Sequence, residues 1–174
     1  MAGNIQPKYV ASTTMTVTNL HSLASSQDWS AGWTSASITN TSNNYADYLI
    51  SATFTTHASN RQAGNINIYI IAALNDTPLW PASSSGTVGT EGALGFTDTE
   101  ERDTIVAPLW SITVDTTASA VYSFSQKGIA HLFGGRVPTH FAIYVAQNCS
   151  TTTTAGLAAS GSAVYYTPVY DQYT

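Results

Sequence analysis

The chain has 174 residues and a mass of 18.4 kDa, enough for one domain that hides roughly 70% of its unfolded surface. Hydrophobic residues make up 43% and charged residues only 9%, against about 25% charged in an average soluble domain. Five basic and ten acidic side chains give a formal net charge of −5. So few cations exclude the basic footprint with which a nucleic-acid binder neutralises phosphates, and no apolar run reaches the roughly 18 residues of a membrane span. Ser and Thr, together roughly a quarter of the chain, take the place of charge and exceed ordinary usage. Hydroxyls keep a surface wettable, threonine favours β structure, and low self-repulsion favours packing against copies or partners.

In chain order, Met1-Ala2-Gly3-Asn4 shows no basic-then-apolar signal region, so synthesis in the cytoplasm without a signal peptide is expected. Residues 1–12, with Ile5, Pro7 and Tyr9, show no period and read as an N-terminal arm; 13–174 read as a single domain. Met15 and Val17 predict a short strand, Ser25 to Ser30 a turn, Trp33 to Thr39 a second short strand, and 40–44 a turn. Over 45–57, Tyr48, Ile50, Ala52 and Phe54 share one face and hydroxyls dominate the other, which predicts a half-buried strand. Ile66, Ile68 and Ile70 alternate with the equally apolar Tyr69 and Ile71. A helix competes there, but isoleucines at spacing two predict a central strand covered on both sides.

Residues 75–103 show no usable period and read as a long loop, a length unusual in a compact domain unless the loop is functional or mobile. It holds Trp80, Phe96 and four of the ten acids, at 98–103. Strand signals resume with Trp110, Ile112 and Val114 on one face, then over 121–125, then with Phe141, Ile143 and Val145, and last over 164–170. Pro168 places that last strand at a sheet edge or beyond it. A helical turn is expected at 129–133, before Gly134-Gly135. About eight strands with Gly- and Ser-rich turns predict an all-β fold, an antiparallel β-sandwich of jelly-roll type, with an immunoglobulin-like sandwich as the second choice.

The chemistry-bearing residues do not form a recognisable centre. His21, His57, His131 and His140 show no metal-ligand spacing, Gly-x-Ser-x-Gly is absent, and no Gly-Lys-Ser/Thr accompanies the glycines. The acids at 98–103 fit a solvated patch, with calcium as the alternative. Cys149 stands alone and reads as a structural thiol. Asn40, Asn75 and Asn148 head glycosylation sequons that chance explains in so Ser/Thr-rich a chain. No enzyme activity, metal or cofactor is expected. Among the aromatics, Trp29, Trp33 and Trp80 are expected to lie outside the core, where flat rings with a polar handle suit protein interfaces or sugars.

Several segments together resemble a known class. They are Ile5-Gln6-Pro7-Lys8-Tyr9, the 20–26 segment Leu-His-Ser-Leu-Ala-Ser-Ser, Ile68 to Ala73, Phe133-Gly134-Gly135-Arg136-Val137-Pro138 leading into Phe141 to Asn148, and Val164-Tyr165-Tyr166. This order resembles head structural proteins of tailed bacteriophages, of the capsid decoration (cement) type. The resemblance implies a virion protein on the capsid surface, bound to the major capsid protein and to itself, with a trimer favoured, and with neither nucleic acid nor membrane as partner. The interface residues expected on that reading are Ile5, Pro7, Tyr9, Trp29, Trp33, Trp80 and Phe96. The alternative is a tail-fibre or lectin-like module that binds glycan through exposed tryptophans.

Overall fold

The computed structural model describes residues 4–151 and 154–173. Eleven strands occur among them: β1 (Ile5–Tyr9), β2 (Thr13–Thr14), β3 (Ala31–Thr34), β4 (Ile38–Thr39), β5 (Asp47–Thr55), β6 (Gly64–Ala72), β7 (Gly92–Gly95), β8 (Ala107–Val114), β9 (Val121–Gly128), β10 (His140–Gln147) and β11 (Ala163–Tyr173). One helix, α1 (Thr99–Ile105), precedes β8, and a 3₁₀ turn over Ala130–Phe133 follows β9. One sheet runs β1-β11-β5-β9 with β2 also on β11; the other runs β7-β3-β10-β6-β8 with β4 also on β10. All the ladders between strands are antiparallel.

Eleven strands replace the expected eight because two are interrupted and one is added. β1 and β2 pair with successive parts of β11, and β3 and β4 with successive parts of β10. Each pair acts as one broken strand. With β7 set aside, the chain changes sheet at every step except β6 to β8, which is the strand order of a two-sheet jelly roll.

The strand faces follow the alternation in the sequence. Tyr48, Ile50, Ala52 and Phe54 are buried between the sheets, together with Ile66, Ile68, Ile70, Phe141, Ile143, Val145 and Val164. The opposite faces of the two sheets then differ. The outer side of β5 carries Ser51, Thr53 and Thr55, which are only half-buried. The outer side of β6 and β10 carries Tyr69, Ile71, Ala142, Tyr144 and Ala146, which form a second buried cluster. Its cover comes mainly from the 75–103 segment expected as a loop: Val88, Leu94 and Phe96 close over that face together with Val106 just beyond the segment, with Trp29, Trp80 and Ile105 packed at its rim. The segment contains β7 and most of α1, so it is a structured third layer.

The acids at 98–103 belong to α1. Asp98 is its N-cap and accepts from the Glu101 N–H at 2.7 Å, and the Glu101 carboxylate accepts from the Thr97 N–H. This is a variant of the capping box, and the Asp98-x-x-Glu101 spacing was the sequence signal for it. Arg102 is buried; its guanidinium pairs with Asp103 at 2.6 Å, donates to the Asp28 carbonyl and lies 5.7 Å from the Tyr69 ring centroid.

Three strand-level expectations need correction. Residues 5–9, read as part of an arm, pair with β11 from Ile5↔Tyr173 to Tyr9↔Val169. Pro168 is not at a sheet edge: it lies inside β11, opposite Tyr48 of β5. The Val10 N–H donates to the Pro168 carbonyl. Because a residue's N–H and C=O point to the same side of a strand, the donor that proline lacks would have faced the break between β1 and β2. Trp110 does not share a face with Ile112 and Val114. The β6–β8 register shifts between Ile68 and Tyr69, so Leu109 turns inward and Trp110 is 45% exposed.

The expected helical turn is present as the 3₁₀ turn, closed by Gly134 in the left-handed region at φ 68°. Asp47 opens it: one carboxylate oxygen accepts from the N–H groups of Tyr48, Ile129 and Ala130 at 2.8, 2.8 and 2.9 Å. Asp47→Ala takes the carboxylate from the Ala130 N–H and leaves the N–H of the fully buried Ile129 with only its longer bond to the Tyr48 carbonyl at 3.2 Å; it is expected to cost about 1–2 kcal/mol in urea unfolding, with Asp47→Asn, which keeps an acceptor, costing less.

Candidate functional site

Alternation along β1 and β11 decides which expected interface residues lie together. Tyr166 and Val164 face the core, so the odd-numbered residues of β11 face outward. Ile5, Pro7 and Tyr9 are opposite Tyr173, Asp171 and Val169. They therefore share the outward face of the first sheet. Ile5 is 67% exposed, Tyr9 62% and Tyr173 72%, and Pro7 is exposed as well. The spacing of two among Ile5, Pro7 and Tyr9 was present in the sequence. Inside a segment with a proline and two long polar side chains it did not read as a strand.

The same patch has a guarded edge. The Val10 N–H points to β11, so by alternation the N–H groups of residues 5, 7 and 9 point to the free edge, and Pro7 has none. A proline there interrupts strand addition from another chain. What this face and edge offer is therefore side chains more than an open backbone ladder.

The other four expected interface residues are taken up by the second sheet. Trp33 is fully buried between the sheets, which corrects its expected place outside the core. It lies in β3, within reach of the strand expected from Trp33 to Thr39, and the indole N–H donates to Glu91 at 2.8 Å, so its polar handle is satisfied without solvent. Phe96 is also buried, edge-on to Tyr144 with centroids 5.3 Å apart. Trp80 and Trp29 are half-buried at the rim of the outer cluster. Trp80 lies over Gly89, whose φ of 80° suits glycine and where a Cβ would meet the indole at 2.7 Å. Trp29 sits at φ 57°, a left-handed conformation unusual for a bulky residue, held by the Tyr144 hydroxyl on its carbonyl at 3.0 Å. Its indole nitrogen is buried without a hydrogen-bond partner among the described residues. Among the exposed aromatics that the expected interface set left out are Tyr173 and Trp110, and the Trp110 ring centroid lies 3.7 Å from the Lys127 ammonium.

The titratable groups mostly hold loops. His140 contacts the Thr39 hydroxyl at 3.2 Å and the Asp76 carbonyl at 3.1 Å, and His21 contacts the Ser162 carbonyl at 3.2 Å. One His57 ring nitrogen accepts from the N–H groups of Ser59 and Asn60. Burial pushes the Cys149 thiol up to about 12, so it stays protonated and inert at neutral pH. Among the described residues no group of three or more His, Cys, Asp or Glu is placed to hold a metal ion, and no helix is long and apolar enough to cross a membrane.

Comparisons with known proteins add little. No family model and no curated protein matches the chain. Two solved structures do. The VP2 subviral particle of infectious bursal disease virus is 14% identical, with a TM-score of 0.20, covering 99% of this chain and 42% of that one. A structure of the Gx strain of the same virus is 14% identical, with a TM-score of 0.21, covering 100% and 43%. The chain thus spans about two fifths of the length of those structures. Likeness at this level carries no argument; the jelly-roll assignment rests on strand order.

Two carboxylates link these parts and make stability acid-sensitive. Asp28 is held below its ordinary value by hydrogen bonds from the Ser26 hydroxyl and from Ser30. At Glu91, burial pulls upward, but donors from Trp33 and Asn19 outweigh it and the net shift is downward. A depressed folded pKa stabilises the fold above the unfolded value, and that contribution is lost as pH falls through the folded value. Melting temperature is expected to fall as pH drops below about 4. Glu91→Gln is expected to melt lower than the parent at neutral pH and to show a shallower acid dependence in the same scans.

Proposed function

We propose that this chain is a virion structural protein of the capsid-decoration type, which attaches to the outside of an assembled head through the outward face of β1 and β11. The observation that carries this reading is the set Ile5, Pro7, Tyr9 and Tyr173, exposed together on one sheet face whose strand edge is guarded by Pro7. Large exposed apolar side chains grouped on one face mark interaction surfaces. The sequence resemblance to tailed-bacteriophage head proteins gives the surface its partner, the major capsid protein, and favours a trimer. The jelly roll is an architecture that capsid and lectin domains both use, so it is compatible with the reading without deciding it. Binding that favours the assembled shell would stabilise it by linkage.

The test is location and attachment. Cryo-electron microscopy of purified virions should place the chain on the outer capsid surface. Its absence from virions, or a position confined to the tail, overturns the proposal. Ile5→Asp with Tyr9→Asp should reduce co-sedimentation with capsids at least about tenfold, because it sets charge into a dry contact. The same pair should change folding stability little, since both side chains are solvent-exposed in the free chain.

A further inference from the structure

The ladders gather several connections at one end of the sandwich. The β5–β11 ladder stops at Asp47 opposite Val169, and the β6–β10 ladder at Ala72 opposite Phe141. The Asn40 N–H donates to the Thr139 carbonyl, and the Asp47 carboxylate accepts from Ile129 and Ala130. The 40–46 turn, the 129–139 connection and the 73–79 stretch therefore share that end, and β1 with residues 170–173 of β11 runs past it as a two-stranded ribbon. Of the eight large apolar side chains exposed among the described residues, six belong here: Ile5, Tyr9, Leu74, Leu79, Tyr170 and Tyr173. Leu74 and Leu79 are neighbours, because the Leu74 N–H donates to the Leu79 carbonyl. Val121 stands at the far end, and Trp110 on the edge strand β8.

Charge divides the same way. The chain has five Lys and Arg side chains and a net charge of −5. Arg102 is buried against Asp103, and Arg61 donates to the Thr116 and Ala58 carbonyls at the far end. The other three are Lys8 on β1, Lys127 near the end of β9 and Arg136 in the 129–139 connection. The single ion pair among the described residues is Arg102 with Asp103, so these three have no carboxylate of their own chain in contact. The acids at 98–103 belong to the third layer, and Asp47 is taken up by the 3₁₀ turn. Arg136 is exposed on a fixed loop, which Asp47 opens and which Gly134 and Gly135 turn at φ 68° and 87°.

We infer that this whole end of the sandwich, more than the outward face of β1 and β11 alone, is the docking surface, and that it fits an acidic protein surface whose carboxylates pair with Arg136 and Lys8 around the apolar side chains. The inference rests on the head-attachment reading and gives the partner its chemistry. Tyr and Arg dominate binding hot spots, and a guanidinium without a partner in its own chain is free to take a carboxylate bidentately. Two other polyanions fit less well. Nucleic acid needs a dense basic footprint, and an anionic membrane is read by clusters of about four to eight cations.

Co-sedimentation with heads assembled without this chain tests it, over about 50 to 500 mM salt. The parent should lose affinity as salt rises. Arg136→Glu should weaken binding at least about fivefold at the lowest salt, and Lys8→Glu added to it should weaken binding further, since charges at an interface rim set association and its salt dependence. Melting temperature should hold in both variants, because neither side chain has an ion pair to lose. Ala159→Glu with Ser160→Glu, at exposed positions of the far end, makes the same change in net charge as Arg136→Glu and should leave binding unchanged. Head binding indifferent to salt and to both cation variants, or an equal loss in the far-end pair, overturns this inference and leaves head attachment standing. A parent chain that binds no heads overturns both. Tighter binding to duplex DNA or to phosphatidylglycerol vesicles than to heads also overturns it.

Discussion

One sheet of this sandwich is apolar on both faces, and the rest of the architecture follows from covering it. Ile68, Ile70, Ile143 and Val145 face the first sheet, while Tyr69, Ile71, Ala142 and Tyr144 face away from it. Each buried aliphatic or aromatic side chain contributes roughly 1.5–3 kcal/mol relative to exposure, so a bare second face would forfeit a large stabilisation. The first sheet can cover only one side. The other is covered by the long connection between β6 and β8, which supplies Val88, Leu94, Phe96 and Val106 and carries β7 and α1. Its length and its aromatics are therefore a packing requirement.

Scarcity of charge shapes how the loops are fixed. With charged residues at 9% of the chain, individual acids hold whole turns. Asp47 opens the 3₁₀ turn, Asp98 caps α1, Asp28 gathers Ser26 and Ser30, and Glu91 joins Asn19 to Trp33. Asp115 accepts from the Tyr122 hydroxyl and the Thr117 N–H. These carboxylates accept hydrogen bonds from donors fixed by the fold, which holds loops in place but leaves them dispersed along the chain. The surface that remains is one of hydroxyls, amides and aromatic rings, suited to contact with other molecules.

Two prolines set the geometry of the first sheet's outer edge. Pro7 removes a donor from the free edge of β1, and Pro168 removes one where β1 gives way to β2. The first guards against strand addition beside an apolar face. The second coincides with a depression between β2, β4 and β11 that Tyr45, Tyr48 and Tyr166 line. An exposed apolar face and this depression thus lie close together along β11, one outside the sheet and one at its inner edge.

The sequence by itself determined the fold class, the strand faces of β5, β6 and β10, and the 3₁₀ turn before Gly134, because period-two alternation and glycine are local signals that survive whatever packs against them. It also showed that β6 needed cover on both sides. Only the tertiary structure decided what supplied that cover. It also decided that Trp33 is buried beside Glu91 and that a register shift turns Trp110 outward. The same holds for Ile5 to Tyr9, which form a strand through pairing with residues 169–173 at the far end of the chain. Each of these depends on a partner dozens of residues away or more, and local spacing contains no information about such a partner.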